Sequence, residues 1–310
     1  MEYRDLGRTG LRVSEIGFGA WAIGGDAWGP VEDAESLAAM ERAMELDINF
    51  IDTADVYGEG RSESLVSKAI SGRRDEVVIS TKGGLMGHHR EPEREPVYDR
   101  PEKIVKACEA SLKRLETDHL DVYFCHIWWD KHEETEAFIE AFEQLKNDGK
   151  VRAVGVSTND LDYIKHFDQD GGLDVVQLDY SILNREPERD ILPYLSERGI
   201  GVVVRGPLRM GLLTGKFSED TTFPEGDIRR SWPEAQWFKE SLKKVQSLKT
   251  LENGRTLGQL ALRYVLNHPA VSVAIPGAKT PMQVEANAAA SVRPLLSGED
   301  LRFIQEAAPL

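Results

Sequence analysis

Residues Asn49–Lys82, NFIDTADVYGEGRSESLVSKAISGRRDEVVISTK, contain a complete strand–helix–strand unit. Asn49–Asp52 is a short β-rich run that ends on an acid. Leu65, Ala69 and Ile70 then fall on one helical face, and Val77–Thr81 is a second β-rich run that stops beside Lys82. Outward from this unit the same alternation recurs along the chain. Further strands are expected at Glu15–Gly19, Asp121–His126, Ala153–Ser157, Val175–Leu178, Val202–Arg205 and Ser272–Ile275. Ile104, Cys108, Leu112 and Leu115 supply another amphipathic face, as do Leu257, Leu260, Ala261 and Tyr264. Strands alternating with helices build a parallel sheet covered by helices. Eight such alternations with no linker between them favour a closed barrel over an open doubly wound sheet, which more often has about five to seven strands. The expectation is an α/β fold, a (β/α)8 TIM barrel forming a single domain over residues 1–310.

Two segments break the rhythm. Gly83–Arg100 and Pro207–Pro233 each follow a strand, so both are expected as long loops over the C-terminal mouth of the barrel. Tyr3–Val13, punctuated by Gly7 and Gly10, is expected as a short N-terminal hairpin under the barrel bottom. The composition, 41% hydrophobic and 29% charged, is that of a globular protein with a sizeable core. A net charge of −15, from 38 basic and 53 acidic residues, repels phosphate backbones and anionic headgroups, which argues against nucleic acid and membrane partners. A small anionic cofactor stays compatible with that charge, because a local cluster of Lys, Arg and backbone N–H groups reverses the field within one cleft. The start, MEYRDLGRTG, has no apolar signal core, and a cytoplasmic location is expected. Cys108 and Cys125 lie in runs that read as packed elements and are expected as buried thiols.

Asp52, Lys82, His126, Ser157 and Gln177 each stand at or just beyond the end of an expected strand, and in a barrel those ends converge on one mouth. Any one of them alone reads equally well as a loop tether; five together point to a site. If Asp52, Tyr57, Lys82 and His126 meet there, Lys82 stabilises a Tyr57 phenolate and lowers its pKa, while Asp52 orients Lys82. His126 then donates a hydrogen bond to a substrate oxygen that gains negative charge. This set suits hydride addition or removal at a carbonyl carbon, and the hydride must come from a cofactor, most naturally a nicotinamide. The run RGPLRMGLLTGK, Arg205–Lys216, has the glycines and cations of a pyrophosphate cradle.

Longer motifs strengthen this reading. They are Leu6-Gly-x-Thr-Gly-Leu11-x-Val-Ser14, Asn49-Phe-Ile-Asp-Thr-Ala-Asp-Val-Tyr-Gly58 with Ser62-Glu63, and Ser80-Thr-Lys82. Asp121-Val-Tyr-Phe-Cys-His126, Gly149-Lys-Val-Arg-Ala-Val-Gly-Val-Ser157 and Ile275-Pro-Gly-Ala-Lys-Thr-Pro281 continue the series. Over nearly its whole length the chain resembles the aldo-keto reductases. The resemblance implies a barrel and a catalytic tetrad of Asp52, Tyr57, Lys82 and His126, with Tyr57 as general acid/base. It implies that Ser157, Thr158 and Gln177 lie at the nicotinamide carboxamide, and that Gly206, Pro207, Leu208, Gly211 and Lys216 line the pyrophosphate. Gly277, Lys279, Thr280, Gln283 and Asn287 would contact the adenosine side, with Arg229 closing over the cofactor and Trp21 walling the substrate pocket.

The chain departs from the family pattern at three places. Thr158 stands where an Asn is usual, and Ala286 stands where an acid is common. Ile127-Trp128-Trp129-Asp130 replaces a Trp-Pro-Asp-like stretch after the catalytic His. Two adjacent aromatic side chains rarely both point inward at a strand end, so Trp128 and Trp129 are both candidates for the substrate pocket and one of them is expected to face substrate. Lys279, Arg229 and Arg230 are cations suited to a 2′-phosphate, which favours NADP(H), with NAD(H) as the alternative. The histidines, including His88-His89, lack metal-ligand spacing, and no metal is expected. The function expected is NAD(P)H-dependent reduction of an aldehyde or ketone, or oxidation of the corresponding alcohol. The alternative is a nucleotide-binding regulatory or scaffolding subunit with little turnover. A two-carboxylate glycosidase is disfavoured because only Asp52 stands at a strand end near other chemistry and Lys82 neutralises it. An acidic, aromatic-edged mouth suits neutral polyols, sugars or aromatic aldehydes better than strongly anionic substrates. Oligomeric state is left open.

Overall fold

The computed structural model describes residues 1–29, 31–84, 98–126 and 132–309, the side chains of 132–134 excepted. A hairpin of β1 (Tyr3–Asp5) and β2 (Arg12–Ser14) opens the chain. The barrel strands follow: β3 (Phe18–Gly19), β4 (Phe50–Asp52), β5 (Val78–Gly83), β6 (Leu120–Cys125), β7 (Val151–Ser157), β8 (Val175–Asp179), β9 (Gly201–Arg205) and β10 (Val273–Ala274). Between and after them run α1 (Asp33–Glu45), α2 (Arg61–Ala69), α3 (Pro101–Leu115), α4 (His132–Asn147), α5 (Leu161–Phe167), α6 (Ile191–Arg198), α7 (Gln236–Leu248), α8 (Leu257–Asn267), α9 (Pro281–Ala288) and α10 (Gly298–Ala307). β3 to β10 are all parallel and neighbour one another in chain order. Bridges from Ile16 to Ala274 and from Gly19 to Gly277 join the first of them to the last and close the (β/α)8 barrel.

Side chains alternate across each strand, so every second residue enters the barrel. Phe50, Val78, Val122, Phe124, Ala153, Val175, Val203, Val273 and Ile275 form one buried interior cluster. Leu6, Leu11 and Val13 of the hairpin belong to the same cluster and plug the barrel at the N-terminal end of its strands. Gly7 makes that plug fit: with φ +55°, its missing Cβ would lie 2.2 Å from the Gly201 amide nitrogen at the start of β9. The larger cluster lies between the outer barrel surface and the helices. α3 shows the helix logic well. Pro101 opens it, Lys113 and Arg114 lie in its last turn, and Ile104, Val105, Cys108, Leu112 and Leu115 are buried along one face.

The expected architecture is the observed one, with differences at its edges. β3 and β10 are shorter than their sequence runs because the seam between them is made of isolated bridges. β5 extends two residues further than expected, through Lys82 to Gly83, which pair with Phe124 and Cys125 of β6. Two helices, α7 and α8, occupy the β9–β10 connection. α7 follows the Pro207–Pro233 segment and buries Phe238, Val245 and Leu248. Cys108 and Cys125 are buried, as expected.

Candidate functional site

The interior register that buries Phe50, Val78 and Phe124 brings Asp52, Lys82 and His126 to the barrel mouth, each an even number of residues further along its strand. Lys82 is the pivot. Its Nζ donates to Asp52 Oδ1 at 2.7 Å, to the Thr53 carbonyl at 2.8 Å and to the Tyr57 hydroxyl at 3.2 Å. Asp52 is saturated from its other side, where Oδ2 accepts from Ser80 Oγ at 2.7 Å and from Gln177 Nε2 at 2.8 Å. Tyr57 reaches the site from the turn after β4, and the His126 ring stands edge-on to it with centroids 6.0 Å apart. All four residues expected to act together are buried around one point.

The electrostatics correct one sequence expectation. The Tyr57 pKa is raised, not lowered: burial is the dominant cause, and it outweighs the opposing pull of the Lys82 ammonium. Burial also pulls Lys82 down, but the negative Asp52 and its hydrogen bonds overcome it, so the ammonium titrates above its ordinary value. Tyr57 therefore holds its proton at neutral pH beside a fully charged lysine. Arg205, read from sequence only as the first residue of the cradle, also favours the phenolate electrostatically. Ser80 and Thr53 were missed because a hydroxyl and a carbonyl inside a β-rich run carry no signal of their own.

Ser157 and Gln177 pair in register on β7 and β8, with Ser157 Oγ donating to Gln177 Oε1 at 3.4 Å. Thr158 is turned to local structure, its Oγ1 accepting the Asp160 amide at the entry to α5. Gly206 and Pro207 follow β9, and Gly206 takes φ +65° with Asp179 Oδ1 lying 2.9 Å from where a Cβ would stand. Leu208 and Gly211 close a tight turn, the Gly211 amide donating to the Leu208 carbonyl at 3.0 Å. At the far edge, Thr280 caps α9 through the Gln283 amide, and Gln283 Oε1 accepts the Lys279 amide at 2.8 Å. Gly277 precedes this cap, and Asn287 lies half-buried in the last turn of α9.

Lys216, Arg229 and Lys279 form a cationic cluster. Burial lowers the pKa of both lysines, and the Arg229 guanidinium lowers both further. Asp227 is the counter-ion, gripped by Arg229 Nε at 2.9 Å and Nη2 at 2.6 Å. Arg230 points elsewhere, exposed and 3.7 Å from Glu225, so of the arginine pair only Arg229 joins the cluster. Cations that repel one another at a mouth loop, with glycine turns beside them, are a donor set suited to phosphate groups. Trp21 stacks on Tyr57 with centroids 6.0 Å apart and planes at 26°. Trp128, Trp129 and His88-His89 lie outside the described residues, as does most of the Gly83–Arg100 segment.

Comparison with known proteins agrees with this geometry. Residues 15–309 match the model of the aldo/keto reductase family. Aldo-keto reductase YhdN of Bacillus subtilis is 38% identical over 293 residues, covering 92% of this chain and 87% of that protein. The NADH-specific methylglyoxal reductase of Escherichia coli is 34% identical over 331 residues, covering 99% and 98%. Among solved structures, an aldo/keto reductase from Klebsiella pneumoniae in complex with NADP and acetate superimposes with a TM-score of 0.78 at 28% identity, covering 100% of this chain and 96% of that one. The chain belongs to the aldo/keto reductase family and is an oxidoreductase that interconverts carbonyls and alcohols with a nicotinamide coenzyme.

Proposed function

We propose that Tyr57 is the general acid/base of this oxidoreductase and that Asp52, Lys82 and His126 complete its catalytic set. The observation that carries this is the Lys82 ammonium, buried and shared between Asp52 and the Tyr57 hydroxyl. In reduction, the Tyr57 O–H bond breaks as the proton passes to the substrate oxygen, and the phenolate formed is held by Lys82. In oxidation the same oxygen takes the proton back. His126 donates to the substrate oxygen while charge builds on it. Asp52, with both carboxylate oxygens hydrogen-bonded, keeps Lys82 aimed and charged. When bound, the nicotinamide supplies or accepts the hydride.

The residues present fit such a coenzyme. Lys216, Arg229 and Lys279 would hold its phosphates, Gly206, Pro207, Leu208 and Gly211 would line the pyrophosphate, and Ser157, Thr158 and Gln177 would meet the carboxamide. Gly277, Thr280, Gln283 and Asn287 would contact the adenosine side. NADP(H) is preferred over NAD(H) on the strength of the cationic cluster, and the E. coli relative named as NADH-specific makes Lys279 the residue to test. The substrate is a small carbonyl compound, with Trp21, Trp128 and Trp129 as pocket residues. The same relative's named substrate places methylglyoxal in the test panel. The chain acts as one domain, in the cytoplasm; among the described residues no helix is long and apolar enough to cross a membrane.

Tryptophan fluorescence titrated with NADPH and NADH, followed by turnover of methylglyoxal, glyceraldehyde and 4-nitrobenzaldehyde, tests this reading. Tight NADPH binding and turnover that collapses in Tyr57→Phe are expected. Equal turnover in the native chain and Tyr57→Phe removes the acid/base assignment, and failure to bind either nucleotide removes the whole reading.

A further inference from the structure

The segment after β3 folds back over the mouth and meets the long loop after β9. Trp28 bridges Asp227 in an antiparallel pair, and the Ile228 amide donates to the Ala27 carbonyl at 3.1 Å. Trp28 links the two sides of this crossing. Its ring lies 4.7 Å from the Arg229 guanidinium, and its carbonyl accepts from Lys279 Nζ at 2.6 Å. The ring also packs edge-to-face with Trp21, centroids 4.9 Å apart, and Trp21 in turn stacks on Tyr57. The Trp28 indole N–H is buried and has no hydrogen-bond partner among the described residues. One residue thus meets two of the three cations of the coenzyme cluster, Arg229 through its ring and Lys279 through its carbonyl, and its ring also meets the aromatic wall beside the reacting hydroxyl.

We propose that Trp28 is a positioning residue through which coenzyme binding sets the substrate pocket. The proposal rests on the reading of this mouth as a nicotinamide site. Phosphate drawn to Arg229 and Lys279 fixes the two groups that touch Trp28, one through its ring and one through its carbonyl. A fixed Trp28 ring limits the orientations open to Trp21, and Trp21 forms the surface against which a carbonyl lies beside Tyr57. Without the coenzyme Arg229 is held by the Asp227 carboxylate, the Met210 carbonyl and the faces of Phe217 and Phe223, with no phosphate to fix it. The pocket is then expected to hold its substrate geometry loosely. Two classes of ligand that meet one indole through different neighbours are coupled because both bias the same side chain.

A double-mutant cycle on Trp28 and Arg229 reads this directly, using NADPH affinity by fluorescence or calorimetry and KM for the best-turned-over aldehyde of the panel at saturating NADPH. Trp28→Ala is expected to weaken NADPH binding about tenfold and to raise the aldehyde KM by a similar factor while kcat falls less. Arg229→Ala is expected to raise the aldehyde KM in the native background and to leave it unchanged in the Trp28→Ala background. Trp28→Phe, which keeps an aromatic face for Arg229, is expected to stay within about threefold of the native chain. Trp28→Leu keeps bulk without the aromatic face and serves for the cycle if the alanine variant does not fold. The proposal is overturned if Arg229→Ala changes the aldehyde KM by the same factor in both backgrounds, or if removing the ring leaves NADPH affinity and aldehyde KM unaltered. Absence of nucleotide binding to the native chain would instead overturn the coenzyme reading, and this inference with it.

Discussion

The Lys82 ammonium lies 2.7 Å from the Asp52 carboxylate with both side chains cut off from water, at 0% and 3% exposure. In that setting neither charge is tolerable alone. Lys82→Met is expected to destabilise the fold by about 3–5 kcal/mol, because it leaves a buried carboxylate without its cation. Adding Asp52→Asn to Lys82→Met should recover much of that loss without restoring turnover. Urea midpoints of the two single variants and the double variant measure it, and strictly additive losses would show that the pair is not coupled.

Tyr57→Phe removes one oxygen and leaves the stack with Trp21 in place. Its kcat is expected to fall by about 10² to 10⁴, the range for removing a positioned proton donor, while NADPH affinity stays within about twofold. Steady-state kinetics and a fluorescence titration on the same preparation separate the two effects.

The pH dependence follows from the raised Tyr57 pKa. A protonated Tyr57 serves reduction, so kcat/KM for reduction should be flat from about pH 6 to about pH 9 and fall only above about pH 10. Oxidation needs the phenolate and should rise with pH over the same range. A reductive limb falling between about pH 7 and about pH 8 would mean that Lys82 outweighs burial after all.

Asp55 makes a stability prediction. Burial, then the nearby Glu63 carboxylate, push its pKa from 3.8 up to about 7, and its Oδ1 is buried with no hydrogen-bond partner among the described residues. Below the unfolded value both states are protonated and nothing is lost. As pH rises from there to about 7 the unfolded chain ionises first, so stability declines through that window and the loss is complete above it. Asp55→Asn should therefore match the native chain near pH 4 and exceed it by a few degrees in Tm at pH 8. Thermal melts at the two pH values check the sign.

Lys279→Met should weaken NADPH binding by about tenfold, the loss of one charge-assisted contact of about 1.4 kcal/mol, and change NADH binding by less than about twofold. An equal loss for both nucleotides would place the Lys279 charge on a group common to the two.

Much of this site could be read before any coordinates. Asp52, Lys82, His126, Ser157 and Gln177 announced themselves because a polar residue ending an apolar strand breaks a period of two, and barrel geometry says where such ends meet. Arg229 and Lys279 were legible as cations suited to a phosphate, but not as partners of the same residue, one at its ring and one at its carbonyl. Trp28 was invisible: a tryptophan in a Gly-rich segment carries no periodicity, and its partners lie about 200 and 250 residues away in sequence.

The sequence by itself determined the alternation of strand and helix, the number of barrel strands and which side chains arrive at the mouth, since all of these are set by local periodicity and chain order. The direction of the Tyr57 shift, the saturation of Asp52 by Ser80 and Gln177, and the meeting of the two mouth loops at Trp28 and Asp227 were decided only by tertiary structure. The physical reason is that desolvation and long-range contact depend on what lies around a group in space. A proton on Tyr57 is held by the burial that the whole barrel imposes, and no spacing along the chain records how deep that burial is.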